Sequence, residues 1–402
     1  MSTYPKTALV INCGSSSVKF AILDPKDGHV FLNGIAEALG LADARISWKF
    51  NGGEKTETQL GAGADHSKAL EFLVKNVLAK DEALHDSIVA CGHRIVQGGD
   101  IYSQPTLIDD EVEENIKKVI PFAPLHNPAH LLGIDAARAN FPSIPHVAVF
   151  DTAFHQTMPE ESFIYPVPYE WYTDLKVRKY GAHGTSHQYV MKRTAELMGR
   201  DYHDMNMITC HLGNGASITA IKNGEVYNTS MGLSPLGGIM MGSRCGDIDP
   251  TVVYYVEEKL GLSPEEMDVQ LNKKSGMLGI SGISSDSRDV EQGVKDGNPR
   301  AVLTSKLYAQ RVIDFIGSYY MELGHVDAIA FTAGLGEHAV EMRERVLKRL
   351  EEGMGVKIDY ELNSKTHSEA KISTDDSKVQ VWVVPTNEEL VIARDTVRLL
   401  GL

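Results

Sequence analysis

The sequence predicts an α/β protein made of two similar halves. Three observations predict it. Short β-branched and aliphatic runs alternate with capped segments of helical spacing, the pattern of layered sheets and helices. A plan of strand, glycine turn, strand, turn and strand occurs twice, about 200 residues apart in a chain of 402, which implies internal duplication. The composition, 43% hydrophobic and 23% charged, is that of an ordinary globular chain long enough for two to four domains.

The elements follow in order. Thr7–Asn12 reads as a strand, Cys13-Gly-Ser-Ser-Ser17 as a turn and Val18–Leu23 as a second strand. After the turn Asp24-Pro-Lys-Asp-Gly28, His29–Gly34 is a third. The plan returns with Met207–His211, the turn Gly213-Asn-Gly215, Ser217–Ile221, the turn Lys222-Asn-Gly224 and Glu225–Thr229. Asp65 is expected to cap a helix bearing Leu70, Leu73, Val77 and Leu78, and Ser87–Cys91 to be a buried strand. Asn127 is expected as the N-cap of a helix with Pro128 in its first turn, running to about Asn140. His146–Phe150 is a strand ending at Asp151. Asp249-Pro250 and Asn298-Pro299 start helices in the same way. Val326–Thr332 is a strand meeting the turn Gly334-Leu-Gly-Glu337, Val379–Val384 is the last strand, and Asn387 caps the final helix. Such alternation predicts a mostly parallel sheet, with ligands beyond the carboxyl ends of its strands. That places Asp151, His211 and Gly334 at candidate sites, with the halves packed around one cleft.

Charge and cysteine content exclude other classes. A net charge of −15 repels nucleic acid and anionic membranes. No run approaches the ~18 apolar residues of a membrane helix, and Met1–Lys6 does not open a signal peptide. Cys13, Cys91, Cys210 and Cys245 form no CxxC pair, which argues against a disulfide framework or thiolate zinc site and fits the reducing cytoplasm.

Four constellations could carry chemistry. Asn12-Cys-Gly-Ser-Ser-Ser17-Val-Lys19 exposes backbone N–H groups and hydroxyls suited to phosphate, although it lacks Walker A spacing and also reads as a plain hairpin turn. The matching His211-Leu-Gly-Asn-Gly215 favours a nucleotide clamp. Arg94, Arg244 and Arg288 each lie in or beside a glycine- or serine-rich loop. They could hold carboxylate or phosphate through paired bonds, or be solvated surface groups. His183-Gly-Thr-Ser-His187 has the i, i+4 spacing of a metal pair, but lacks the Glu of H-E-x-x-H, so a hydrogen-bonding loop histidine is the better reading. Asp151 after a buried strand and Glu388 opening the last helix could orient Mg²⁺ near a nucleotide; Glu388 could equally serve the helix dipole.

Together these residues resemble the acetokinase family. The resemblance runs from about Leu9 to Leu400. Its motifs are Asn12-Cys-Gly-Ser-Ser-Ser17, Gly92-His-Arg-Ile-Val96, Phe122-Ala-Pro-Leu-His-Asn-Pro-Ala-His130, Val149-Phe-Asp-Thr-Ala-Phe-His155, Tyr180-Gly-Ala-His-Gly-Thr-Ser-His187, His211-Leu-Gly-Asn-Gly215, Met241-Gly-Ser-Arg-Cys-Gly-Asp-Ile-Asp-Pro250 and Pro385-Thr-Asn-Glu-Glu389. The resemblance implies two duplicated βββαβαβα domains of the actin-like ATPase, ribonuclease H-like fold around a nucleotide cleft. Domain I would be 1–154 plus 388–402, closed by the C-terminal helix, and domain II, residues 155–387, would bind nucleotide. It implies a cytoplasmic homodimeric enzyme that transfers the γ-phosphoryl of ATP to acetate, giving acetyl phosphate and ADP, with Mg²⁺ or Mn²⁺ and no nucleic acid or membrane partner. A propionate or other short-chain acyl kinase is the nearest alternative; a non-catalytic ATP switch of the Hsp70 or actin type is the alternative of another class.

By family position, Arg94 would hold the carboxylate, and Val96, Leu125 and Pro235 would wall the methyl pocket. Arg244 and His183 would stabilise the moving phosphoryl, and Asp151 would position Arg94 and a Mg²⁺-linked water. Asn12 and Glu388 would hold the metal. Ser15, Ser17 and Lys19 would meet the phosphates, with His211, Leu212, Gly213, Asn214 and Gly215 opposite. Asp286, Ser287, Arg288, Gly334, Leu335, Gly336, Glu337 and His338 would hold the adenosine. Gln97, Ala182, Cys245 and His338 depart from the usual family pattern; Ala182 bears on acid chain length and His338 on base preference.

Overall fold

The computed structural model describes residues 4–402. The chain divides into two compact units, Met1–Phe154 with Asn387–Leu402, and His155–Thr386.

Unit 1 is built on eight strands: β1 (Thr7–Gly14), β2 (Ser17–Leu23), β3 (Val30–Glu37), β4 (Arg45–Phe50), β5 (Thr56–Gln59), β6 (Ile88–Ile95), β7 (Thr106–Leu107) and β8 (His146–Phe150). Their spatial order is β5-β4-β3-β2-β1-β6-β8-β7. Unit 2 has six: β9 (Asn206–Leu212), β10 (Ala216–Lys222), β11 (Glu225–Thr229), β12 (Ala328–Thr332), β13 (Ala370–Lys371) and β14 (Gln380–Val383), ordered β11-β10-β9-β12-β14-β13. Without the edge strands the orders coincide: β3-β2-β1-β6-β8 and β11-β10-β9-β12-β14. The duplication is therefore one of topology. Both sheets are mixed, and the expectation of mostly parallel sheets is corrected. Tight turns between sequential strands enforce antiparallel pairing in β1–β2–β3 and β9–β10–β11. Only β1–β6–β8 and β9–β12–β14, whose connections contain helices, run parallel.

Strand parity then sorts the side chains. In β1, Leu9, Ile11 and Cys13 enter a core with Phe20, Ile22 and Trp48, against helices His66–Phe72 and Asn127–Asn140. Asn12, paired across β2 with Lys19, points to the other face, which the helix Glu388–Leu400 covers. That helix packs so closely that a Cβ on Gly92 would meet Thr396 Oγ1 at 2.5 Å. In unit 2, Ile208, Cys210 and Ile218 join the core with the helix Pro299–Leu323, while Thr209, His211 and Ser217 face the helix Gly184–Leu197. The two covering helices come from the opposite stretch of chain. Gly184–Leu197 follows β8 yet packs on β9 and β12 of unit 2, and Glu388–Leu400 follows β14 yet packs on β1, β6 and β8 of unit 1.

Caps sit mostly where the sequence puts them. Asp65, Asn298 and Asn387 accept from the backbone N–H groups of Lys68, Arg300 and Leu390. Asn127 does not cap: it is the first residue of its helix, after His126, and its buried amide accepts from Gln97 N at 3.2 Å and donates to Gln97 O at 2.9 Å. Fixing the loop after β6 uses both polar ends of the side chain. The Asp65-capped helix ends at Phe72, and Leu73, Val77 and Leu78 lie in a wider and then a tighter turn.

Candidate active site

Unit 1 gathers a charged cluster at the carboxyl ends of its parallel strands. Arg94 leaves β6 and Asp151 follows β8 directly. Arg94 Nη2 donates to Asp151 Oδ2 at 2.7 Å, and Nε lies 3.2 Å from both carboxylate oxygens. Glu388, first residue of the C-terminal helix, brings Oε2 to 3.6 Å from Arg94 Nε. Asp151 is 0% exposed, whereas the Arg94 side chain keeps 18%. Burial alone would lower the Arg94 pKa, but the two carboxylates hold it above the ordinary arginine value. Burial pushes the Asp151 carboxyl up, and the adjacent guanidinium opposes the shift. The pair is ionised, because a neutral Asp151 would leave a largely buried cation without its partner. Among the described residues nothing accepts from Arg94 Nη1, so one edge of the guanidinium is available to a ligand.

Around this cluster, Thr152 Oγ1 accepts from Gly98 N at 3.1 Å, and Val96 is buried. Leu125 is 44% exposed. Asn12 is half-buried near the end of β1. Ser15 is exposed and Ser17 half-buried in the β1–β2 turn, and Lys19 lowers the burial-raised pKa of Glu389. Asn12 and Glu388 offer an amide and a carboxylate oxygen, a hard donor set that fits Mg²⁺. The buried trio Cys91, His93 and His146 does not. His146 Nε2 donates to Phe141 O at 3.1 Å, so its Nδ1 accepts from His93 Nε2 at 2.9 Å. Burial holds the Cys91 thiol far above its ordinary pKa. These are soft, neutral, mutually satisfied groups.

Unit 2 contains a cavity of about 760 Å³ that unites four separate stretches of sequence: Gly213 and Asn214; Gly242; Asp286, Ser287 and Arg288; and Gly334, Leu335 and His338. Gly242 is required there, since a Cβ would fall 1.7 Å from Asn214 Oδ1. Asp286 caps the helix Ser287–Lys295 and pairs with the Arg288 guanidinium, which holds its carboxyl down at about 2. Glu291, Lys295 and Glu341 also line the cavity and carried no sequence motif. His211, Leu212, Gly215, Gly336 and Glu337 lie behind or beside it. Glu337 Oε1 accepts from Ala333 N at 2.8 Å and so pins the turn after β12, where Ala333 has φ +63°. Sequence reasoning missed Arg343. It is fully buried and donates to the carbonyls of Gly336, Glu337, Asn363 and Thr366, bracing that turn from below. Burial pushes its pKa down to about 10. Nothing local marks it, because it looks like any surface arginine of a helix.

Beside the cavity, Arg244 Nη1 and His183 Nε2 each lie 3.5 Å from the Cβ position of Gly215, so the three converge. Arg244 Nη1 donates to Pro235 O at 3.0 Å. Among the described residues no carboxylate lies within ion-pair distance of Arg244, and burial lowers its pKa. His183 stands at the N-cap position with φ +60°, and its Nδ1 lies 2.8 Å from Ser217 Oγ. Ala182 is buried in the unit 2 core, with its carbonyl held by His155 Nε2 at 2.9 Å.

Residues 7–394 match the model of the acetokinase family. The acetate kinase of Dictyoglomus thermophilum is 50% identical over 396 residues, 98% of this chain and 99% of that protein. Acetate kinase 1 of Aliivibrio fischeri is 49% identical, covering 99% of this chain and 100% of its own length. Among solved structures, Porphyromonas gingivalis acetate kinase superposes with a TM-score of 0.92 at 43% identity, over 98% of this chain and 100% of that one. A propionate kinase from Francisella tularensis gives 0.92 at 41%, over 98% and 99%. The fold is thus the actin-like ATPase fold of the acetate kinase structures, and the chain belongs to the acetokinase family.

Proposed function

We propose that this enzyme reversibly transfers the γ-phosphoryl of ATP to acetate, giving acetyl phosphate and ADP. The observation that carries it is the likeness, at 50% identity over 98% of the chain, to proteins named acetate kinase. The chemistry of the site agrees. Acetate is already ionised at pH 7, so no base is needed. The obstacle is an anion approaching a polyanion, a repulsion of about 4 kcal/mol at ~4 Å and an effective dielectric of ~20. Cations and alignment must overcome it.

Arg94, oriented by Asp151, offers its open edge to the carboxylate, and Val96, Leu125 and Pro235 wall the methyl group. Arg244, which has no acidic partner among the described residues, and His183 stabilise the equatorial oxygens of the phosphoryl. The unit 2 cavity takes the adenosine through Asp286 to Arg288 and Gly334 to His338. His211 to Gly215 and the Ser15, Ser17 and Lys19 turn address the phosphates. Asn12 and Glu388 would hold Mg²⁺ or Mn²⁺, which supplies charge neutralisation at the phosphates when bound. The enzyme is cytoplasmic; its four cysteines are free, and among the described residues no helix is long and apolar enough to cross a membrane. It is a homodimer. The helix Thr251–Leu260 has no buried residue and exposes Val252, Tyr254, Tyr255 and Leu260, a face suited to a second copy and measurable by light scattering.

The test mixes purified protein, Mg-ATP and acids from formate to butyrate with hydroxylamine, which traps acyl phosphates. Acetate should give the highest kcat/KM. The likeness to a propionate kinase, at the same TM-score of 0.92 and 41% identity, keeps propionate as the second reading, since one methylene in an apolar pocket is worth only ~1–3 kcal/mol. A product yield independent of the acid would sink both.

A further inference from the structure

Unit 2 holds a line of four side chains, three of them buried, of which the scheme above uses only the last. Thr209 Oγ1 lies 2.7 Å from His187 Nδ1, His187 Nε2 lies 2.8 Å from Ser217 Oγ, and Ser217 Oγ lies 2.8 Å from His183 Nδ1. Thr209, His187 and Ser217 are completely buried. Register assembles them. Ser217 on β10 pairs with His211 on β9, Thr209 is two residues back on the same face, and His183 and His187 sit one turn apart where the covering helix begins. The i, i+4 histidines that resemble a metal pair are therefore bridged by a serine hydroxyl.

Proton counting restricts this line. A hydroxyl has one hydrogen and a neutral imidazole has one N–H. Among the described residues the two imidazoles are the only hydrogen-bond partners of Ser217 Oγ, so its buried hydrogen goes to one of them and the line is polarised in one of two directions. In the first, Thr209 donates to His187 Nδ1, His187 Nε2–H donates to Ser217, and Ser217 donates to His183 Nδ1. In the second, every bond is reversed. Thr209 decides between them. Among the described residues, His187 Nδ1 is the only hydrogen-bond partner of Thr209 Oγ1, and a buried hydroxyl proton aimed at nothing is costly. The first direction follows.

We propose that Thr209, His187 and Ser217 are positioning residues that hold His183 with its proton on Nε2. That nitrogen is the one beside Gly215 and Arg244, so His183 presents an N–H donor to a phosphoryl oxygen. Burial, with His155 and His211 nearby, holds His187 well below the ordinary imidazole pKa, so it does not interrupt the line by taking a second proton. The use of that donor rests on the phosphoryl-transfer reading; the tautomer does not.

The test is a ¹⁵N–¹H correlation spectrum of histidine-labelled full-length protein, with the His183 signal assigned by its loss in His183→Asn. The wild type should show the Nε2–H tautomer, a result that needs no relay variant to fold. Thr209→Val removes the terminal donor at nearly equal volume and should shift His183 toward Nδ1–H. It should lower kcat about tenfold, a fraction of the ~10²–10³ lost with a whole oxyanion donor, with KM for both substrates unchanged. Thr209→Ser keeps the hydroxyl and should restore both readouts. An Nδ1–H tautomer in the wild type, or a Thr209→Val protein with unaltered tautomer and kcat, overturns the proposal. If the wild type traps no acyl phosphate yet shows the Nε2–H tautomer, the kinase reading fails and the relay stands.

Discussion

Arg94 and Arg244 occupy the two units and differ in what surrounds their charge. Arg94 is pre-neutralised: Asp151 holds two of its nitrogens, Nε and Nη2, and Glu388 lies 3.6 Å from the first of them. Arg244 is half-buried against the Pro235 carbonyl, with no carboxylate within ion-pair distance among the described residues. The first arrangement gives geometry, since a paired guanidinium is held still and binds a monoanion modestly. The second gives field, since an uncompensated cation in a partly dry site is most valuable where charge accumulates. The division matches the proposed ligands, a singly charged acid at the one and a transferring phosphoryl at the other.

The largest expected effect tests that division directly. Arg244→Ala should lower kcat by ~10³-fold or more, while thermal denaturation stays close to wild type because the one backbone hydrogen bond lost is that to the Pro235 carbonyl. Near-normal turnover would remove Arg244 from the chemistry. Arg94→Ala should do the reverse in emphasis. It strands the buried Asp151 carboxylate, costing about 3–5 kcal/mol of stability, and raises KM for acetate far more than for ATP. A denaturant melt unchanged by this variant would mean that the pair is not the rigid element described. Acid should also separate the units. Burial holds His93, His130 and His146 of unit 1, and His187 of unit 2, below the ordinary imidazole range, His130 at about 3. The unfolded chain takes up these protons near pH 6.5, so their contribution to stability is complete above that pH and is lost as pH falls toward about 3. Hydrogen exchange between pH 7 and 4 should therefore show unit 1 opening before unit 2. Smallest, Asp286→Ala should cost ~1 kcal/mol as a lost N-cap, with a modest rise in KM for ATP.

Much of this was legible. The glycine turns marked both hairpins, and Arg94, Asp151 and Glu388 each stood at a strand or helix end that the pattern identified. The four loops of the unit 2 cavity were all named from motifs. Most of what was hidden lacked a local signal. β5, Thr56-Glu-Thr-Gln59, is short and wholly polar. β4 is the exception, since Arg45-Ile-Ser-Trp-Lys-Phe50 alternates polar and apolar residues and buries Ile46 and Trp48. Asn127 has every mark of a cap, and only the fold shows that Gln97 competes for its amide. Arg343 and Ser217 act through partners remote in sequence, which no single-chain periodicity can display.

The exchange of covering helices has a consequence for biosynthesis. Glu388 and the helix that it opens are synthesised after the strands of both sheets, yet they cover the sheet laid down first. A chain that stops before this helix, or a proteolysed one that has lost it, would carry Arg94 and Asp151 without their cover.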